Sequence, residues 1–336
     1  MRPGQIRGML LEEAVLHLLK RSGYSTVEGP GEDPTLCSMG AGTGVRGRGT
    51  NHQIDAIADF VVNQPFSNPQ RLLVEAKCYA QDKPTGIDVV RNAIGVLKDT
   101  SEYWQPPLGA ISTWKRFHYQ YAVFSGTSFS SDAQRYAFAH DIHLFPLHHS
   151  QFFKPILAAV YAALPNNENL PSIPGGLSEL RKSIRVSLRQ HSPSFLTDPG
   201  VTPTVILGPY LEACAQLNYA LVAILGGKFT ILLTPSETVR QGGLDDHTSV
   251  RIYWNEDGWL LKSEGRTLFS FDLPDELFKL YEKAGEMKPE RALDLKSEWM
   301  SNIQTIEIRD GRPRLLTFRL DQDWINAIRQ SKPQVI

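Results

Sequence analysis

The 336-residue chain has little cysteine: Cys37, Cys78 and Cys214 are far apart and odd in number. Such spacing points to neither a disulfide framework nor a cysteine-based zinc site. No apolar run approaches the ~20 residues of a membrane span. The opening "MRPGQIRGMLLEE" lacks the long apolar stretch and cleavage site of a secretory leader. A cytoplasmic protein with no membrane partner is the expectation. Net charge is nearly absent, at −1, so any nucleic-acid binding must draw on a local basic patch. His140, His143, His148 and His149 come close together, but without a cysteine or a helical His-x-x-x-His pair beside them. That favours structural or exposed roles over a metal site.

What is present is ordinary globular composition, 41% hydrophobic and 21% charged, enough for two moderate domains. Glycine is concentrated in "GAGTGVRGRGTNHQIDAIADF", residues 40–60, where Gly42, Gly44 and Gly47 match G-x-G-x-x-G. A dinucleotide fingerprint needs a helix next, because the helix N-terminus holds the pyrophosphate. Here Ile54, Ala56, Ala58 and Phe60 alternate with Asp55, Ile57 and Asp59, a period of two, and no Gly-Lys-Ser/Thr follows. The glycines are therefore read as a flexible lead into a strand that presents an acidic residue.

Leu10, Leu11, Ala14, Leu18 and Leu19 fall at helical spacing before Gly23, which predicts an opening amphipathic helix. Strands follow near Tyr24 to Glu28, from Ile54, and in "RLLVEAKCY"; a helix covers about Ile87 to Lys98. "YQYAVFSG" reads as strand, "SSDAQRYAFAHD" as a capped helix, "IHLFPL" as strand, and about Gln151 to Leu164 as helix. The order is a mixed sheet flanked by helices, and "PNNENLPSIPGG" is a linker.

Chemistry converges on two strands. Asp55 follows the glycines, and in Glu75-Ala76-Lys77 the acid and the lysine share one face. Mg²⁺, with Mn²⁺ as a substitute, prefers carboxylate and water oxygens, so Asp55 and Glu75 on adjacent strands suit it as metal ligands against a phosphodiester. Lys77 would orient the attacking water and offset charge on the phosphorane oxygens. Glu12, on the core-facing helix, could approach the same metal from the other side. Asp59 is a rival ligand on the face of Asp55, and Glu13 is read as surface.

Taken together, "GMLLEEAVLHLLKRSGY", "HQIDAIAD", "LLVEAKCY" and "GIDVVRNAIGVL" resemble the PD-(D/E)xK nucleases, and within them the Mrr-like restriction endonucleases. The resemblance spans roughly residues 5 to 147, under half the chain. It implies a restriction-endonuclease-like α/β core, with Asp55 and Glu75 as metal ligands, Lys77 as the catalytic lysine and Glu12 as an accessory acid. Many Mrr-like members carry Gln where Glu75 stands; Glu is commoner across the wider superfamily.

Arg91 and Lys98, on the helix after the catalytic strand, are read equally as phosphate contacts or helix-surface charges. Lys115 and Arg116 lie among Tyr103, Trp104, Trp114, Phe117 and Tyr119, a mixture that can stack on bases or fold onto its own domain. Arg181, Arg185 and Arg189 recur every four residues opposite Leu177, Leu180, Ile184 and Leu188, either a solvated stripe or a DNA contact.

From about residue 200 the texture becomes β-rich, with turns at Gly226-Gly227, Glu256-Asp257-Gly258 and Asp310-Gly311 and helices near Asp275 to Lys283 and Asp323 to Arg329. The expected domains are 1–164 (nuclease), 165–199 (linker and amphipathic helix) and 200–336, a β-rich α+β sensor or partner-binding module. The expected activity is Mg²⁺-dependent cleavage of DNA, RNA not excluded, by a homodimer or partner-bound complex serving prokaryotic restriction or anti-phage defence. A repair or junction-cleaving nuclease and a non-catalytic nuclease-fold subunit stand as alternatives.

Overall fold

Leu10, Leu11, Ala14, Val15, Leu18 and Leu19 are each at most 1% exposed, and Ile6, Met9 and Leu16 are buried with them. They lie on α1 (Pro3–Arg21) of a computed structural model. Its apolar surface is wider than a single stripe, so α1 needs neighbours on more than one side. The structure describes residues 3–331 apart from 28, 32, 40–41, 64, 81–82, 104–115, 149, 151–152, 163–175, 191–202, 216, 218–219, 228, 238, 240–243, 256–257 and 288. The expected linker, Trp104, Trp114 and Lys115 lie outside the described residues, as does the side chain of Arg189.

After α1 come β1 (Tyr24–Thr26), β2 (Leu36–Met39), β3 (Gly42–Arg46), β4 (Asn51–Gln53), β5 (Ala56–Phe60) and β6 (Gln70–Lys77). Then follow α2 (Ile87–Glu102), β7 (His118–Ser125), α3 (Ser131–Ala139), β8 (His143–Pro146), α4 (Phe153–Ala162), α5 (Gly176–Gln190) and α6 (Pro203–Ala215). The main sheet runs β1-β5-β6-β7-β8. Its first three strands are antiparallel, while β6, β7 and β8 are parallel. Ile57, Leu73, Tyr121 and Val123 form one core with Val90, Ala93 and Val96 of α2. The intervening Ala58, Leu72 and Val74 are equally buried, as a sheet covered on both faces requires. On that second side α1 packs on β1, β5 and β6 and is itself backed by α4 and α5.

The glycine segment departs from expectation. It is the middle strand, β3, of a separate antiparallel sheet β2-β3-β4, not a lead-in loop. Two glycines are there for close approach. A Cβ on Gly44 would sit 2.9 Å from the His52 carbonyl oxygen, and one on Gly47 would sit 2.0 Å from Asp99 Oδ2. Asp99 of α2 accepts from the Gly49 and Thr50 amides at 2.8 and 3.3 Å and bonds His52 Nε2 at 2.7 Å, which pins the β3–β4 turn to the helix.

The chain divides at Asn218/Tyr219 into two compact units. The expected boundary near residue 200 fell too early, because α5 and α6 pack on the first unit: α5 against α1, α6 against α4. Tyr210 of α6 donates to the Leu10 carbonyl at 2.7 Å.

In the second unit β9 (Leu221–Leu225), β10 (Phe229–Pro235), β11 (His247–Asn255), β12 (Gly258–Ser263), β13 (Arg266–Phe271), β14 (Asn302–Arg309) and β15 (Arg312–Leu320) close a barrel in the order β10-β13-β12-β11-β15-β14-β9. Alternate residues such as Leu225, Ile252, Leu261, Phe269, Leu316 and Phe318 fill it at 0% exposure. The two-residue turns Glu264-Gly265 and Asp310-Gly311 have positive φ at both positions, the hairpin geometry that matches strand twist. Helices α7 (Asp275–Met287), α8 (Pro289–Trp299) and α9 (Gln322–Gln330) complete the unit. Closure depends on the parallel pairing of β11 with β15, a contact no local pattern announces.

Candidate active site

Asp55 stands one residue before β5, in a bend, and its Oδ2 accepts the backbone N–H of Ala76 at 2.9 Å. That bond joins the acid after the glycines to the middle residue of Glu75-Ala76-Lys77. Lys77 Nζ lies 2.5 Å from Glu75 Oε1, with both side chains largely shielded. The other Glu75 oxygen accepts the hydroxyl of Tyr121 at 2.8 Å. Tyr121 was not anticipated, yet the signal was present. It alternates with Val123 on the strand parallel to β6, on the face that carries Leu73.

Burial raises the Asp55 pKa, opposed by the Ala76 N–H and the Lys77 charge. At Lys77 burial acts downward, but the charge and hydrogen bond of Glu75 and the charge of Asp55 outweigh it, and the net shift is upward. The shift favours the ammonium form of Lys77, which suits a charge-offsetting role. Glu12 is pushed up to about 7 by burial first and then by the Asp55 charge. Its field couples it to the strand site although it stands on α1.

Glu12 does not stand open to an ion. Its Oε2 is 2.5 Å from an Arg181 guanidinium nitrogen. Among the described residues no three His, Cys, Asp or Glu side chains gather closely enough to hold a metal, so Asp55 and Glu75 form a pair without a third ligand. Asp55, just before β5, and Glu75, on β6, are hard oxygen donors, the kind that an ion keeping several waters takes.

Several expectations change. Glu13 is not surface: its side chain is 1% exposed and takes Arg185 in two bonds of 2.7 and 2.9 Å. Arg181 and Arg185 accordingly turn inward onto α1 and do not form a solvated stripe. Asp59, the rival ligand, is engaged by buried Arg71 at 2.6 and 2.8 Å. Phe117 lies under that same guanidinium, 3.6 Å from ring centroid to carbon, so this aromatic serves the unit's own interior.

Arg91 and Lys98 are exposed, with Asp88 and Glu102 as neighbours at 3.2 and 3.5 Å. Arg116 donates to the Ser101 carbonyl at 3.3 Å on the surface. His140 packs edge-on against Tyr136, and burial lowers the pKa of His143.

No family model matches the chain, and neither does any curated protein sequence. Among solved structures, a protein of unknown function, AF1548, aligns over 62% of this chain and 97% of its own at 18% identity, with a TM-score of 0.38. The DNA modification-dependent restriction endonuclease AspBHI aligns over 43% of this chain and 32% of its own at 13% identity, with a TM-score of 0.23. Likenesses this slight transfer no function, which has to come from the residues themselves. No described helix is long and apolar enough to cross a membrane.

Proposed function

We propose that the first unit is a metal-dependent endonuclease that hydrolyses DNA phosphodiesters, with Asp55 and Glu75 as ligands for Mg²⁺ or Mn²⁺ and Lys77 as the catalytic cation. The observation that carries this is the Ala76 N–H to Asp55 bond, which holds one acid against the acid-x-lysine of the next strand. A bound Mg²⁺ would polarise the phosphodiester and ease deprotonation of a water.

Each residue then has a definite task. Lys77, kept protonated by Glu75 and Asp55, orients a water and offsets charge that develops on the phosphate oxygens. Glu75 restrains the Lys77 ammonium, and the Tyr121 hydroxyl fixes the rotamer of Glu75. Glu12, titrating at about 7, is an accessory acid able to hold or release a proton near neutral pH.

A domain with a single centre usually cuts both strands of a duplex as a symmetric pair, which favours a homodimer or a partner-bound complex. A prokaryotic restriction or anti-phage role in the cytoplasm, with the barrel unit as sensor or partner module, completes the reading. Purified protein incubated with plasmid, methylated plasmid and RNA, each with Mg²⁺ or EDTA, tests it. Cleavage of DNA that EDTA abolishes supports the reading. Intact substrates under every condition, or cleavage unaffected by EDTA, refute it.

A further inference from the structure

The barrel unit contains a cleft that cleavage chemistry does not use, and strand pairing explains its origin. β11 pairs with β15 through His247–Val250 and with β12 only from Arg251 to Asn255. Along β12 and β13 the register shifts between Leu261 and Lys262, skipping Leu268. A bulge of this kind bends its strand and is common beside binding sites. Between the tip of that hairpin and the first half of β11 lies a cleft of about 620 Å³, within the size range of small-ligand sites.

Its walls carry an unusual charge arrangement. Arg251 and Lys262 sit directly opposite each other in the ladder, where like charges repel. Arg266 and His247 line the same space. Asp321 answers Arg251 at 2.9 Å and also caps α9 by accepting the Trp324 N–H. Asp245 and Glu264 line it as well, so the cleft is polar with both signs, with Lys262 and Arg266 on either side of Glu264 in the hairpin. A ring adjoins the cleft without lining it: the Lys262 ammonium, which does line it, lies 5.4 Å from the centroid of Tyr253. Tyr253 is 38% exposed and shares a strand face with Arg251. Trp324 backs it at 5.2 Å.

We propose that this cleft binds a nucleotide, with phosphate against Lys262 and Arg266 and the base against Tyr253. Cations that neutralise phosphate beside a ring that accepts a base are the two elements such recognition needs. A ligand phosphate would also relieve the repulsion between Arg251 and Lys262. The nucleotide is either free or one unit of a single strand, since both present the same chemistry. The proposal stands independently of the cleavage reading.

The test uses full-length protein carrying Lys77→Ala, in EDTA so that no strand is cut. It is titrated with a fluorescein-labelled single-stranded oligonucleotide, with the four ribonucleoside monophosphates, and with inorganic phosphate. Lys262→Gln with Arg266→Gln should weaken nucleotide or strand binding about ten-fold and flatten its salt dependence. Tyr253→Leu should weaken the same ligand about five-fold and leave phosphate unchanged. Tight binding of the strand alone assigns the polymer, and binding of monophosphates assigns the free nucleotide. The proposal is overturned if no probe binds, if phosphate alone binds, or if affinity and salt slope are unchanged in both variants while thermal melting shows them folded.

Discussion

Arg181 of α5 reaches across 169 residues of sequence to Glu12 of α1, with nitrogen and oxygen 2.5 Å apart. The contact joins α5 to a carboxyl whose pKa is pushed up to about 7 by burial and then by the Asp55 charge, with Arg181 acting against both.

The sign of the pH effect follows from the direction of the Glu12 shift. Its folded pKa is raised from 4.5 to about 7, so its favourable contribution is complete below 4.5 and is lost as pH rises through about 7. Glu12→Gln removes that dependence. Between pH 5 and 8 the wild type should lose stability relative to the variant by roughly 2–3 kcal/mol. Thermal melts of both proteins across that range check this, and parallel profiles would contradict it.

Truncation should respect the 218/219 division. A fragment of residues 1–218 should fold alone, whereas 1–164 should not, because it leaves Glu13 buried without Arg185 and removes the Tyr210 bond to Leu10. In the full chain, Arg185→Ala should destabilise by about 2 kcal/mol, since it removes both close bonds to a buried carboxylate and leaves it, among the described residues, only the 3.4 Å contact with Arg181. Circular dichroism of the two fragments and denaturant unfolding of the variant measure this. A cooperatively folded 1–164 fragment would show α5 and α6 to be dispensable.

At the site, Asp55→Ala, Glu75→Ala and Lys77→Ala should each reduce plasmid cleavage more than about 100-fold while circular dichroism shows the fold retained. Tyr121→Phe keeps the ring and removes only the hydroxyl on Glu75, so a smaller loss, about 3- to 30-fold in kcat, is expected. Undiminished cleavage by Lys77→Ala would move the catalytic assignment elsewhere.

Gly47→Ala places a methyl 2.0 Å from Asp99 Oδ2 and 2.6 Å from the Thr50 carbonyl oxygen. Oδ2 must withdraw from the Thr50 amide and His52 Nε2, and the Thr50 carbonyl must move as well, so the turn loosens from α2. Hydrogen exchange at Gly49 and Thr50 should accelerate. Unchanged protection there would mean that the turn does not depend on Asp99.

Lys296 of α8 is 7% exposed, and its ammonium donates to the Ile252 carbonyl at 2.5 Å beside the Trp259 and Trp324 rings. Burial lowers its pKa from 10.5 to about 8. A depressed lysine contributes stability that is complete above 10.5 and lost as pH falls through about 8. Stability of the barrel unit should therefore rise between pH 8 and 10 in the wild type and stay flatter in Lys296→Met. Equal slopes in denaturant titrations would rule this out.

The elements were legible in the sequence wherever hydrophobic period decided them. α1, β6, α2, β7, the Ser130-capped α3 and the glycine-turn hairpins of the second unit stand close to where apolar spacing puts them. Spacing within a few residues is a local property, and periods of 3.6 and 2 survive in any tertiary context. Asp55 with Glu75 and Lys77 was visible for the same reason, since acid-x-lysine on an apolar strand is a local anomaly.

Tertiary structure alone decided the rest. Glu13 looked like surface because one helical turn cannot reveal what a partner 172 residues away will cover. The breadth of the apolar surface of α1 was the available hint that it is enclosed. Arg181 and Arg185 had the spacing of a solvated stripe and became half-buried counter-ions once α5 docked on α1. Gly42 and Gly44, which suggested a loop, pair within a strand between β2 and β4, and Met39 and Asp99 take the room that Gly44 and Gly47 leave. The barrel closes through β11 and β15, which only the folded chain brings side by side. In each case the sequence sets the preferences of a segment, and burial sets which charges must find partners.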